Sequence, residues 1–138
     1  MAITQTTCTS FKVELLTGTH DFSSDVFKIA LYTGEATLGA DTTVYSTTNE
    51  TVASGYTAGG NTLTVSTTPT SSSTIAYVSF ANTSWASALT ARGALIYNSS
   101  KSNKAVSVLD FGADKTSSAT FVVTFPPADA TSAIVRIS

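Results

Sequence analysis

Apolar and polar residues alternate cleanly between Thr120 and Phe125, where Phe121, Val123 and Phe125 point one way and Thr120, Val122 and Thr124 the other. A period of two is the side-chain alternation of an extended strand. Upstream, the apolar runs Ala94–Tyr97 and Ala105–Phe111 flank a polar loop, Asn98–Lys104. All three runs are rich in β-branched and aromatic residues and are bounded by Gly, Asn, Ser and Asp. They predict consecutive antiparallel strands.

The same pattern recurs nearer the N-terminus. Val26–Tyr32 predicts a strand with Phe27, Ile29 and Leu31 on one face and Val26, Lys28, Ala30 and Tyr32 on the other. Leu63–Thr67 predicts another, closed by Pro69 and Ser71–Ser73. Thr74–Phe80 follows, with Ile75, Tyr77 and Ser79 opposing Ala76, Val78 and Phe80. Trp85 falls in a loop on this reading. Pro126 and Pro127 end the Thr120–Phe125 strand, because proline cannot donate to a ladder. Ala133–Ile137 supplies the last strand.

One segment departs from the period of two. From Ser10 to Leu16, Phe11, Leu15 and Leu16 fall at helical spacing, with Lys12 and Glu14 on other faces. Thr9 or Ser10 is positioned as N-cap and Gly18 as C-cap, predicting a helix of about two turns that must pack on the sheets to persist. Residues 1–9 read as a polar N-terminal arm and His20–Asp25 as a turn. Thr33–Asp41 reads as a loop and Gly55–Asn61 as turn-rich; Asp41–Glu50 fits a short helix capped by Asp41 or a strand centred on Val44 and Tyr45, with helix or irregular structure favoured. About seven strands at short spacing with little helix predict an all-β domain spanning 1–138. The expected form is a two-sheet β-sandwich, jelly-roll or Ig-like, with a short N-terminal helix.

Composition adds one unusual feature. Only 12% of residues are charged, about half the usual share. Ser and Thr fill the gap, at about a third of the chain. Thr fits the solvent face of a strand, but a hydroxyl surface carries little charge to keep neighbouring sheets apart. It suits a chain packed beside other subunits, or an extracellular one. The net charge of −2 and scattered basic residues give no footprint for nucleic acid or an anionic membrane. A single cysteine, Cys8, excludes an intrachain disulfide, and neither a secretory leader nor a membrane-spanning run is visible. Synthesis in a reducing cytoplasm is the expectation.

Each candidate chemistry meets a plainer reading. His20 and Asp21 are the only His–acid neighbours, and with one histidine no metal cluster is expected. Cys8 sits among polar residues with no base to activate it. Asp110 and Asp114 flank Gly112 without the spacing of a calcium loop, and Gly55–Gly60 lacks a phosphate-binding spacing. Asn49-Glu50-Thr51, Asn82-Thr83-Ser84 and Asn98-Ser99-Ser100 match the glycosylation pattern, but such matches arise by chance in so Ser/Thr-rich a chain. Trp85, Tyr56 and Tyr45 are the aromatic residues a sugar-binding platform would need; a place in the core or a subunit contact outweighs that reading. No catalytic, cofactor-binding or metal-ligating residue is expected.

Several segments resemble small virion proteins of tailed bacteriophages, particularly aquatic and marine ones. They are the opening MAITQTTCTSFKVELLTGTHDF, DVFKIALYT, the Gly-Tyr-Thr-Ala-Gly-Gly stretch at Gly55–Gly60, ARGALIYN at Ala91–Asn98 and VLDFG at Val108–Gly112. The resemblance implies a non-enzymatic structural component, favoured as a capsid decoration (cement) protein on the exterior of the head. It would carry no catalytic residues and no cofactor. Its partners would be the major capsid protein and copies of itself, with arm 1–9 and the Thr-rich loops making contacts. A tail or fibre component and a carbohydrate-binding module are the alternatives.

Overall fold

The computed structural model describes residues 2–138, and the chain is mostly β with antiparallel sheets. The strands are β1 (Thr6–Thr7), β2 (Phe27–Tyr32), β3 (Asn61–Thr62), β4 (Val65–Ser72), β5 (Ile75–Phe80), β6 (Thr83–Trp85), β7 (Thr90–Asn98), β8 (Lys104–Thr116), β9 (Phe121–Val123) and β10 (Val135–Ile137). A five-stranded sheet runs β1-β8-β7-β2-β3, a three-stranded sheet β10-β5-β4, and β6 pairs with β9. In the largest sheet β2 lies between β7 and β3, and every residue of it except Lys28 is buried. Both of its faces are covered, so the two-faced alternation read from the sequence is lost there.

The helix α1 (Thr9–Leu16) lies within a residue of its expected position. Its N-cap position falls on Cys8, which makes no side-chain cap bond, rather than on Thr9 or Ser10. The C-terminus closes as the glycine predicts. Gly18 has φ +73°, its N–H donates to the Leu15 carbonyl at 3.2 Å, and the Thr19 N–H donates to that of Glu14 at 2.9 Å. That pair of bonds is a Schellman motif, which uses a left-handed residue to satisfy carbonyls the helix leaves open.

Residues 2–9 do not form an arm, and Met1 lies outside the described residues. Ile3 bridges Leu38, Thr6 and Thr7 pair with Val108 and Ser107, and Cys8 is fully buried. The two buried apolar residues in this polar stretch, Ile3 and Cys8, hold it down. Ile3 lies against Gly93, where a Cβ would stand 2.9 Å from its side chain and 2.5 Å from the Leu109 carbonyl oxygen.

Three further expectations need correction. Pro69 does not close a strand: β4 runs through it to Ser72, with an irregular register between Thr67 and Thr70. A sheet edge is where proline's missing N–H is tolerated, and β4 is an edge. Trp85 is in a strand, not a loop. The Thr120–Phe125 run does alternate, with Phe121, Val123 and Phe125 buried, but β9 leaves its neighbour β8 and pairs with β6, Thr83 facing Val123. Asp41–Glu50 is irregular.

One hydrophobic core gathers residues from all three sheets. Its aromatic spine runs from α1 across the sheets. Phe11 meets Phe22, Phe22 stacks on Phe27 at 4.4 Å, and Phe27 touches Phe80 of the three-stranded sheet at 5.9 Å. Phe125 closes the row against Phe80.

Candidate functional site

Two buried polar clusters hold most of the chemistry in this charge-poor chain. The first centres on Glu50. The segment 49–51 runs beside the end of β2, Glu50 bridging Tyr32 and the Thr51 N–H donating to the Leu31 carbonyl at 2.9 Å. The Glu50 carboxylate is thereby turned inward. Its Oε1 accepts from the Tyr56 hydroxyl at 2.6 Å and the Gly59 N–H at 2.8 Å, and its Oε2 accepts from the Tyr45 hydroxyl at 2.7 Å. Tyr56 in turn accepts the Leu31 N–H at 2.8 Å, and Tyr97 donates to the Gly59 carbonyl at 2.6 Å. Tyr45 stacks on Tyr97 with ring centroids 4.6 Å apart. Every lone buried charge needs such partners, because desolvation without them is prohibitive.

Burial, reinforced by the Glu50 charge, pushes Tyr97 up to about 12, and burial followed by the hydrogen bond to Glu50 raises Tyr45 and Tyr56. These phenols stay protonated and act as donors. The cluster ties the 41–50 segment and the 55–60 turn to the five-stranded sheet. It offers no open coordination position and no free base.

The second cluster centres on His20, which is fully enclosed at its side chain. Nε2 is 2.8 Å from Glu14 Oε1 on α1, and Nδ1 is 3.0 Å from Asn98 Nδ2 at the end of β7. Asn98 Nδ2 also donates to Asp25 Oδ2 at 2.8 Å, and Asn98 Oδ1 accepts the Ser100 N–H at 3.0 Å. Lys101 reaches Asp25 Oδ1 at 2.7 Å, and Lys104 stands 3.5 Å from Glu14. A carboxylate–imidazole pair is two parts of a nucleophile relay. Here the third position is filled by an amide NH2, which is neither hydroxyl nor thiol. The group positions a turn rather than a reacting atom.

Burial alone would raise the Asp25 carboxyl; hydrogen bonds from Lys101, Asn98 and the Asp21 N–H outweigh it and bring the group down to about 2. Its folded value lies below the 3.8 of the free side chain. The stabilisation is therefore complete above that value and lost as pH falls from 3.8 towards 2. Tyr97 acts at the other end. Its folded value lies above 10.0, so its contribution holds below 10.0 and is lost as pH rises towards 12. A denaturation midpoint measured across pH is expected to fall in both windows. Asp25→Asn is expected to remove about 1–2 kcal/mol at neutral pH and to flatten the acid arm.

The remaining sequence candidates are placed as follows. Asp21 caps the turn after α1, accepting from the Ser23 N–H at 2.9 Å, and does not face His20's ring nitrogens. Cys8 is buried, and desolvation followed by the charges of Glu14 and Asp41 pushes its thiol up to about 11, leaving it inert as a nucleophile. Asp110 pairs with Arg92 and receives the Gly112 N–H; Asp114 is not joined to it. Among the described residues no three His, Cys, Asp or Glu side chains gather as a metal site requires. Asn98 is wholly buried and its amide is fully used, which closes that glycosylation triplet to modification. Trp85 and Tyr56 are only 4% and 8% exposed, and Tyr45 is held on Glu50, so the three make no open aromatic platform. Trp85 Nε1 has no partner in the described structure.

A surface groove of about 530 Å³ lies between β8 and β9 and is lined by Leu109, Phe111, Phe121, Phe125 and Ile134. Lys115 is the one charged residue in its lining. Its lining is mostly apolar. The sequence does not single out Glu50 as the centre of the first cluster or Glu14 as the carboxylate partner of His20 in the second. The available signal for the first was a lone carboxylate between Tyr45 and Tyr56; for the second there was none. No family model, curated protein or solved structure matches this chain.

Proposed function

We propose that this chain is a non-enzymatic structural protein of a tailed-phage virion, and specifically a capsid decoration protein. On this reading it sits on the outside of the head, binds the major capsid protein and copies of itself, and works without a cofactor. The five- and three-stranded sheets would be the two layers of a jelly-roll-like sandwich, a reading supported by the contact of Phe27 with Phe80 between them.

The observation that carries the proposal is the outward apolar set on a surface of hydroxyls. Val52 is 94% exposed and Leu16 89%. On α1 the doubling is explicit. Phe11 is buried and Leu15 partly so, while Val13 and Leu16, three residues apart and so on one face, point to solvent. With charge at 12%, little opposes their burial against another subunit. Meanwhile the groups able to do chemistry are saturated by one another. Contacts that are individually weak suffice on a shell, where many copies act together.

The test is co-sedimentation of the purified chain with expanded heads that lack it. Saturable pelleting supports the decoration role. Pelleting with tails but not heads moves the protein to the tail, and pelleting with neither ends the proposal.

A further inference from the structure

The chain contains one histidine, and its surroundings fix its proton. Asn98 decides which. Its Oδ1 is held by the Ser100 N–H and its Nδ2 by the Asp25 carboxylate. These two partners, a donor and an acceptor, allow the amide only one orientation. One Nδ2 hydrogen goes to Asp25, and the other is aimed at His20 Nδ1. Nδ1 must therefore offer its lone pair, and the proton sits on Nε2, where it donates to Glu14. A second proton on the ring would set an N–H against the Asn98 NH2. Turning the amide over does not help, because Oδ1 would then meet Asp25 and the NH2 would meet the Ser100 N–H.

We propose that His20 is an acid-responsive latch: a proton taken from solvent at Nδ1 expels the Asn98 carboxamide from between His20 and Asp25 and loosens the β7–β8 connection at Ser100, while the Lys101–Asp25 pair and the bonds of Ser99 and Ser100 to Val26 keep it attached. The charged groups around the ring define the response. Glu14 faces it from α1, with Lys104 of β8 behind. Asp25 and Lys101 flank Asn98, while Asp21 adjoins His20 in sequence but bonds within its own turn. Glu14 and Asp25 attract the incoming charge, so the ring accepts the proton by shedding Asn98 rather than by leaving the fold. Asp25 keeps its own charge throughout, since its carboxyl is held at about 2. Phe11 and Phe27, with ring centroids 4.8 and 6.4 Å from the imidazole, bring no titratable group to it. What loosens is the turn containing Ser99, Ser100 and Lys101, where the Ser100 N–H loses its bond to Asn98 Oδ1.

The experiment is nitrogen NMR of the uniformly 15N-labelled full chain, followed from about pH 8 to about pH 5, where imidazoles ordinarily change charge. At the upper end the imidazole should show a protonated Nε2 and a bare Nδ1. As Nδ1 takes up its proton, the Asn98 side-chain NH2 and the Ser100 amide should shift with the same midpoint. Exchange of the Ser100 amide should accelerate roughly 3- to 10-fold, as for one lost hydrogen bond. In His20→Gln, which keeps a donor for Glu14 and takes up no proton, that acceleration should vanish. A proton on Nδ1 at the upper end overturns the latch. So does protonation that leaves Asn98 and Ser100 unmoved, an imidazole that stays neutral throughout, or an equal acceleration in His20→Gln. The wild-type spectra decide the matter even if the variant does not fold.

Discussion

Glu50→Ala is expected to lower folding stability by about 3–5 kcal/mol, because three hydrogen-bond donors lose their shared acceptor. Three donors would be stranded at once: the Tyr45 and Tyr56 hydroxyls and the Gly59 N–H. Each buried donor left unmade costs about 1–3 kcal/mol, less what water or relaxation recovers. Glu50→Gln is the informative companion. Its carbonyl oxygen still accepts from Tyr56 and Gly59, and its amide donates to Tyr45 oxygen, so about 1–2 kcal/mol is expected. Urea denaturation of both variants at neutral pH measures this. A loss in Glu50→Ala no larger than that of an ordinary surface change would mean the carboxylate does not organise the 41–60 segment.

Gly60→Ala should be worse still, at more than about 4 kcal/mol or with failure to fold. Gly60 has φ +76°, which L side chains rarely adopt. A Cβ there would also run into the Ile29 carbonyl group and come within 2.8 Å of the Ala30 Cα, on the buried strand β2. Strain and collision can be separated with Gly112→Ala. That glycine has φ +83° but open space around it, so only the conformational penalty of about 1–2 kcal/mol applies. Thermal melts should place Gly112→Ala close to wild type and Gly60→Ala far below it. Equal losses would show that the contact with β2 is unimportant.

Why some of this was legible in the sequence and some was not follows from the range of the interactions. The helix at Thr9–Leu16 and its glycine stop depend on residues at most a few positions apart, and both were readable. So was the inward set Phe121, Val123 and Phe125, since alternation is local. The partner of that strand was not, because Thr83 and Val123 meet across the intervening hairpin of β7 and β8. Local pattern says which face is apolar and is silent on which edge is paired. Trp85 was misplaced for the same reason. Pro69 misled because its meaning depends on whether its strand is an edge. Residues 2–9 looked like an arm because four threonines outweigh Ile3 and Cys8 in composition, whereas burial of those two decides where the segment lies. The polar clusters were furthest from reach. Glu14, His20, Asp25 and Asn98 share no spacing that a strand or helix period would flag. Tyr45 and Tyr56 drew attention as exposed ring faces, and their role turned out to lie in their hydroxyls, pointed at Glu50.

The central claim is that the outward apolar residues exist to be covered by other subunits. Binding of wild type, Leu16→Gln and Val52→Thr to heads lacking the protein, measured beside their melting temperatures, tests it most directly. All three should melt alike, since neither side chain is buried in the free protein. Wild type should saturate the heads. At least one variant should bind about tenfold or more weakly, as expected when a buried aliphatic side chain worth about 1.5–3 kcal/mol is made polar. Undiminished binding by both variants, or no binding by any, would contradict the account.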